Sequence, residues 1–257
     1  MKLLKLIEHL ESLYPLNLSE DWDFPGLCVG DVQSEISTIL LSVDITDAVV
    51  DEAIACGANL LITHHPLFFR SVHLVGGDTF RGRILNKLIK NNISHYVMHT
   101  NADNQIGGVR DTIQEIADSV QKGTLLSDYL IKFKTKLDKL VPKTAPLMKV
   151  CANDMSMKIY RPYAIGGSGD SFFLEAAQAF NGEGADLFIT SDLRHHPVQD
   201  AIQQFNFAIV DIPHFVSEYP WLHKLKYQLH ALNQTLDVKL LPFSTDPWND
   251  LKTCQVF

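Results

Sequence analysis

No stretch of this chain approaches the ~20 consecutive apolar residues that a membrane-crossing helix needs, so no contact with a membrane is expected. Paired cysteines are missing too. Cys28, Cys56, Cys151 and Cys254 are scattered and form no C-x-x-C pair, which points to ordinary thiols in a reduced, cytoplasmic setting. There is no basic run, and 22 Lys and Arg against 30 Asp and Glu give a formal charge of −8, which argues against nucleic acid as the main partner. A small anionic substrate is still allowed, because single Arg and Lys residues can face a cleft. Residues 1–13 carry apolar side chains at helical spacing, but Glu8, His9 and Glu11 interrupt them well short of a signal-peptide core. Walker and dinucleotide fingerprints are also absent. What is present is a chain of 257 residues, 46% hydrophobic, able to bury one large core or two of ordinary size.

Between Leu60 and Pro66 an apolar run ends in His64 and His65, locked against a proline. Neighbouring side chains on a strand point to opposite faces, so the two imidazoles share a site only where the strand has ended. Pro66 favours that ending, since it lacks an N–H and pushes the preceding residue into an extended or turn conformation. Two more apolar runs read as strands with ligand-type side chains behind them. Ile93 to Thr100 places His99 near its end, with Asp103 following; Phe207 to Pro213 is followed by His214 and, four residues on, Glu218. A His and a Glu at i and i+4 lie on one face of a helical turn.

The five best ligands are therefore His64, His65, Asp103, His214 and Glu218. Three imidazoles and two carboxylates exceed what a tetrahedral zinc site with an open position needs, but suit two divalent ions about 3.5–4 Å apart. The mixed N/O set favours Fe, Zn, Mn or Co over Ca or Mg, which prefer all-oxygen shells.

The chain also repeats itself. Gly57-Ala-Asn-Leu-Leu-Ile-Thr63 returns as Gly184-Ala-Asp-Leu-Phe-Ile-Thr190, five of seven positions being identical. Each copy follows an expected strand (Ile39 to Val43; Met157 to Ile165) and helix (Thr46 to Cys56; Ser171 to Phe180). Each is followed by a His-His-Pro, at His64-His65-Pro66 and at His195-His196-Pro197, and then by a helix and a strand ending near a histidine. Alternating strands and helices imply parallel pairing, with ligands gathered at the C-terminal strand ends. The expected organisation is a first α/β half over residues 1–120, a linker over 121–148 with a short helix around Asp128 to Leu140, and a second half over 149–257 whose C-terminal segment packs back on the first.

These segments together resemble the Nif-three-like (DUF34) family, whose members are often described as GTP cyclohydrolase 1 type 2 homologues. The likeness is carried by Trp22-Asp23-Phe24-Pro25-Gly26, by Asp44 through His-His-Pro, by His99 to Asp103 with Gly107-Gly108, by Gly166-Gly167-Ser168-Gly169, by Thr190-Ser191-Asp192 with His195-His196, and by His214 to Glu218. The resemblance implies two intertwined, pseudo-symmetric α/β repeats with mostly parallel sheets, a dinuclear metal site between them, a homo-oligomer, often a hexamer, and the short form without an inserted domain. The family's ligand pattern falls on the same five residues. Phe24, Ser191 and Phe215 depart from the family's usual Asn, Gly and Tyr, and none of them is a ligand.

Two divalent ions per subunit acidify a bridging water and polarise a carbonyl or phosphoryl oxygen, so a hydrolase of GTP cyclohydrolase-like type, acting on a nucleotide or another small phosphate-bearing substrate, is the expected activity. His99, His195 and His196 are the expected proton-handling residues. Asp44 and Asp192 are expected to hydrogen-bond the histidines. Glycines at Gly107-Gly108 and Gly166 to Gly169 are read as openings of helices, as turn and packing residues first and as backbone N–H groups that can hold an anion second. Arg70, Arg110 and Arg194 are read as solvated surface charge. The alternative is a non-catalytic protein that handles iron or zinc, or a scaffold.

Overall fold

A computed structural model describes residues 1–143 and 148–248. The end of the expected linker, 144–147, and Cys254 lie outside the described residues. The chain divides into two compact units: Met1–Gly108 with Leu222–Thr245, and Val109–Trp221 with residues 246–248.

In the first unit, α1 (Leu3–Leu13) buries Leu3, Leu6, Ile7 and Leu10 at the spacing of one helical face. Strands β1 (Gly26–Val29) and β2 (Thr38–Ser42) precede α2 (Asp47–Ala55), which starts where the Thr46 hydroxyl accepts the Val49 N–H. Then come β3 (Leu60–Thr63), α3 (Phe80–Lys90), β4 (Ser94–Val97) and the five-residue α4 (Thr100–Asn104). The second unit holds α5 (Val109–Asp118), β5 (Thr124–Leu125), α6 (Leu126–Leu137), β6 (Lys149–Cys151), β7 (Lys158–Ile159), β8 (Pro162–Ser168), α7 (Phe173–Gln178), β9 (Leu187–Ser191), α8 (His195–Gln204) and β10 (Ala208–Asp211). Helix α9 (His214–Leu232) carries the chain back to the first unit, which β11 (Asp237–Leu240) completes. Residues 121–143 thus fold within the second unit, where α6 buries Leu126, Tyr129, Phe133 and Leu137 and the Tyr129 hydroxyl donates to Ala117 O at 2.6 Å.

Four strands of each main sheet share one topology, and β11 adds a fifth to the first. The first runs β1-β4-β3-β2-β11 and the second β6-β10-β9-β8, each parallel throughout except for its first-named, antiparallel edge strand. The sequence repeat lies on matching strands, β3 and β9. Gly57 (φ +71) and Gly184 (φ +73) each stand in the left-handed region before their strand, which is why both copies open on glycine. One of the two positions that differ, Asn59 and Asp186, keeps the same task. Asn59 Oδ1 accepts the N–H groups of Ser37 and Thr38 at 3.1 and 3.2 Å; Asp186 accepts those of Tyr160 and Arg161, at 2.8 Å to the former.

That task corrects one sequence reading. Met157 to Ile165 is not one strand: Asp186 turns the backbone at Tyr160 and Arg161, separating β7, which pairs with β5, from β8. Pro162, with no N–H to give, begins β8 on the sheet's edge. The cores differ in texture. Leu61 packs among Leu40, Val49, Val50, Ala53, Ile84 and Leu88, whereas its counterpart Phe188 sits among aromatics, 5.5 Å from Phe173 and 6.2 Å from Phe207 between ring centroids. No helix among the described residues is long and apolar enough to cross a membrane.

Candidate metal centre

Strand β3 ends at Thr63, so His64 and His65 follow it directly, as Pro66 requires. Their backbone N–H groups still bond to Ser42 O and Val43 O, at 3.2 and 2.8 Å, which holds this turn against the end of β2. His64 is buried, and its Nδ1 lies 2.8 Å from Met98 O. A carbonyl only accepts, so Nδ1 carries the proton and Nε2 is left with its lone pair. That Nε2 lies 3.6 Å from Asp103 Oδ1. His65 Nδ1 is 2.7 Å from Asp44 Oδ1, and the Thr245 hydroxyl donates to the other Asp44 oxygen.

His99 follows β4 and starts α4, which carries Asp103. Its Nδ1 is 3.0 Å from Asp23 Oδ1, while Asp23 Oδ2 accepts the Thr100 N–H at 3.0 Å and the Thr100 hydroxyl at 2.6 Å. Burial works against ionisation of Asp23, but these bonds from His99 and Thr100 outweigh it and hold its pKa at about 2. One ring nitrogen from each of His64, His65 and His99 lies within 4.8 Å of the others, a spacing at which one cation can reach all three.

In the second unit, His214 opens α9 and Glu218 follows one turn later. His214 Nε2 is 2.8 Å from Glu218 Oε1, and its Nδ1 is 2.6 Å from Asp192 Oδ2. Burial disfavours charge on this ring, yet Glu218 and Asp192 together raise its pKa to about 11, so the surroundings strongly favour a positive charge. Asp192 adopts φ +57, a left-handed backbone uncommon for a non-glycine residue.

Glycines give α9 its close approach to β8. A Cβ on Gly167 (φ +73) would stand 2.9 Å from Glu218 Oε1, and one on Gly166 would meet Ser217 O at 3.3 Å. The Gly167 N–H donates to Ser217 Oγ at 2.8 Å. This corrects the reading of Gly166 to Gly169 as a helix opening for an anion: Gly166, Gly167 and Ser168 lie in β8, and α7 begins only at Phe173. Gly107-Gly108 does precede a helix, α5. There a Gly108 Cβ would collide with Ala102 O at 1.9 Å, so glycine is required by packing alone.

Asp44 and Asp192 hold histidines, as their positions suggested. His195 and His196 are exposed in the first turn of α8. Arg110 bonds Tyr163 and Glu175, and Arg194 bonds Asp170. Sequence reasoning missed Asp23 as the partner of His99, although Asp23 stands inside a block already singled out. A buried carboxylate's partner, more than seventy residues away, leaves no local pattern.

The three histidines His64, His65 and His214 share one device: Nδ1 faces an oxygen acceptor, which fixes the ring and the direction of Nε2. Imidazole ligands of metals are oriented in this way, and Asp103 and Glu218 add carboxylate oxygens near two of them. The residues therefore fit divalent metal.

The family described as Duf34/NIF3 (NGG1p interacting factor 3) matches residues 1–247 of this chain. A GTP cyclohydrolase 1 type 2 homolog from Streptomyces coelicolor is 34% identical over 271 aligned residues, covering 96% of this chain and 93% of its own length. One from Clostridium perfringens is 36% identical, over 88% of this chain and 90% of its own. The crystal structure of the Staphylococcus aureus hypothetical protein SA1388 aligns at a TM-score of 0.85 and 27% identity, over 98% of this chain and 99% of that one. With a family match running almost from end to end, and relatives this similar across nearly their whole lengths, the chain belongs to the Duf34/NIF3 family.

Proposed function

We propose that this chain is a metal-dependent hydrolase of GTP cyclohydrolase-like type, in which His64, His65, Asp103, His214 and Glu218 hold two divalent ions of Fe, Zn, Mn or Co. The observation that carries the proposal is the uniform support of three histidines by acceptors at Nδ1. Once bound, the ions supply Lewis acidity and water acidified to near neutral pH. The chain's own residues do the rest. Asp44, Asp192 and the Met98 carbonyl fix the ring planes, so that the lone pairs need no reorganisation. His99, whose Nδ1 is held by Asp23, exchanges protons at Nε2. His195 and His196 are proposed as further proton carriers, exposed where substrate can reach them.

Three free cysteines among the described residues agree with a cytoplasmic setting. Assembly into a homo-oligomer, a hexamer by family likeness, is part of the same proposal; a stable monomer in sedimentation at micromolar concentration overturns that part.

The deciding experiment measures metal per subunit in gently purified protein, then GTP turnover by that preparation and its His64→Ala variant. Two ions with turnover lost in the variant establish the reading. Two ions that pass readily to an acceptor, without turnover of any phosphate-bearing substrate, replace it with metal handling. Fewer than one ion after reloading removes the dinuclear site.

A further inference from the structure

The first unit leaves two large aromatic rings half in water beside its histidine cluster. Trp22 is 58% exposed and Phe69 is 50% exposed. Both stand nearly perpendicular to the His99 ring, at interplanar angles of 75° and 86° and centroid separations of 5.8 and 5.4 Å. Phe69 also lies 6.0 Å from the His65 ring. Trp22 is kept in place from within. Its neighbour Asp23 is only 4% exposed at the side chain and is bonded to the Thr100 N–H and hydroxyl and to His99. An inward aspartate thus sets an outward tryptophan next to the His99 ring.

We propose that Trp22, with Phe69 beside it, is the stacking platform for a planar heteroaromatic ring of the substrate, the base of a nucleotide. This rests on the hydrolase reading of the same site and names its substrate class. An exposed indole face favours a flat π-system, and stacking of a base on an aromatic side chain tolerates any base, because each has a π-face. A saturated sugar or an aliphatic chain has no π-face to set against these rings.

The test is binding of GTP to the metal-loaded protein, by calorimetry and by tryptophan emission, with inorganic triphosphate as the baseless control. Trp22→Phe and Trp22→Leu are compared with the wild type, and circular dichroism confirms that both fold. Since Trp221 is 1% exposed and Trp248 is 72% exposed, the difference between wild type and Trp22→Phe isolates the Trp22 signal. GTP is expected to quench that signal and triphosphate to leave it unchanged. Trp22→Leu should weaken GTP binding about 5- to 100-fold, with Trp22→Phe within a few-fold of wild type. Equal GTP binding by Trp22→Leu and wild type overturns the proposal, as does triphosphate binding as tightly as GTP, or no GTP binding at all. GTP bound through Trp22 but never turned over keeps the platform and removes the cyclohydrolase reading. Turnover with an unchanged KM in Trp22→Leu keeps the hydrolase and removes the platform.

Discussion

Each unit sets an aspartate behind one parallel strand against a histidine behind the neighbouring strand, but they do so one strand apart. In the first unit Asp44 follows β2 and holds His65, which follows β3; in the second Asp192 follows β9 and holds His214, which follows β10. The repeated His-His-Pro is therefore a misleading landmark. Its first copy ends β3 and supplies two of the proposed ligands, while the second has moved onto α8, and Ser191-Asp192 stands where His64-His65 stood. The duplicated scaffold is conserved in topology while its chemistry has shifted along the sheet.

The largest effect should come from the ligands themselves. His64→Ala and Glu218→Ala should each lose bound metal and all metal-dependent turnover, read by elemental analysis and rate. An asymmetric result, with only one variant losing metal, would show that His64 and Glu218 do not belong to one ligand set. Next come the holders: Asp44→Asn and Asp192→Asn should each weaken metal affinity by about 10- to 100-fold in competition with a chelator. Asparagine tolerates the φ +57 of residue 192, so that change reports the lost charge rather than backbone strain.

Gly167→Ala tests the close approach of α9 to β8. With a left-handed backbone and Glu218 2.9 Å from the new Cβ, it should destabilise the fold by about 1–3 kcal/mol, seen as a lower midpoint in urea. The outer sheet edges offer a gentler contrast. Strand β11 closes β2, whereas β8 is covered by a side chain, Gln114 accepting the Ala164 N–H at 2.7 Å and donating to Pro162 O at 2.9 Å. Gln114→Ala should cost about 1–2 kcal/mol, measured in the same way.

The last comparison concerns pH. His95 on β4 occupies the place that Ile209 holds on β10: His95 pairs with Leu61, and Ile209 with Phe188. Burial pushes the His95 pKa down to about 3, and its Nε2 donates to Thr63 Oγ1 at 2.8 Å. The unfolded chain takes up this proton first, so stability falls as pH drops from about 6.5 towards 3, by at most about 1.4 kcal/mol per pH unit. His95→Ile should flatten that slope between about pH 6.5 and 4.5, above the carboxylate range; an unchanged slope would assign it to other groups.

Much of this was legible from local pattern. The helix expected over Thr46 to Cys56 is α2 with those residues as its caps, and the spacing of His214 and Glu218 does put both on one helical face. Asp44 and Asp192 were readable because each immediately follows a strand near a histidine. What escaped depends on partners distant in sequence: the break imposed by Asp186 on Tyr160 and Arg161, the glycine window opposite Glu218, the hold of Asp23 on His99, and the antiparallel edges β1 and β6. Periodicity describes a segment's own faces and cannot show which remote carboxylate will reach it.

Strand β11 carries a consequence for how the protein is made. It pairs Leu240 with Leu41, so the outer edge of β2 stays open until synthesis has passed Leu240. The second unit's sheet, drawn from a contiguous run of sequence, can close earlier. During synthesis the first sheet is thus the aggregation-exposed one, with a hydrophobic strand edge waiting for its last partner.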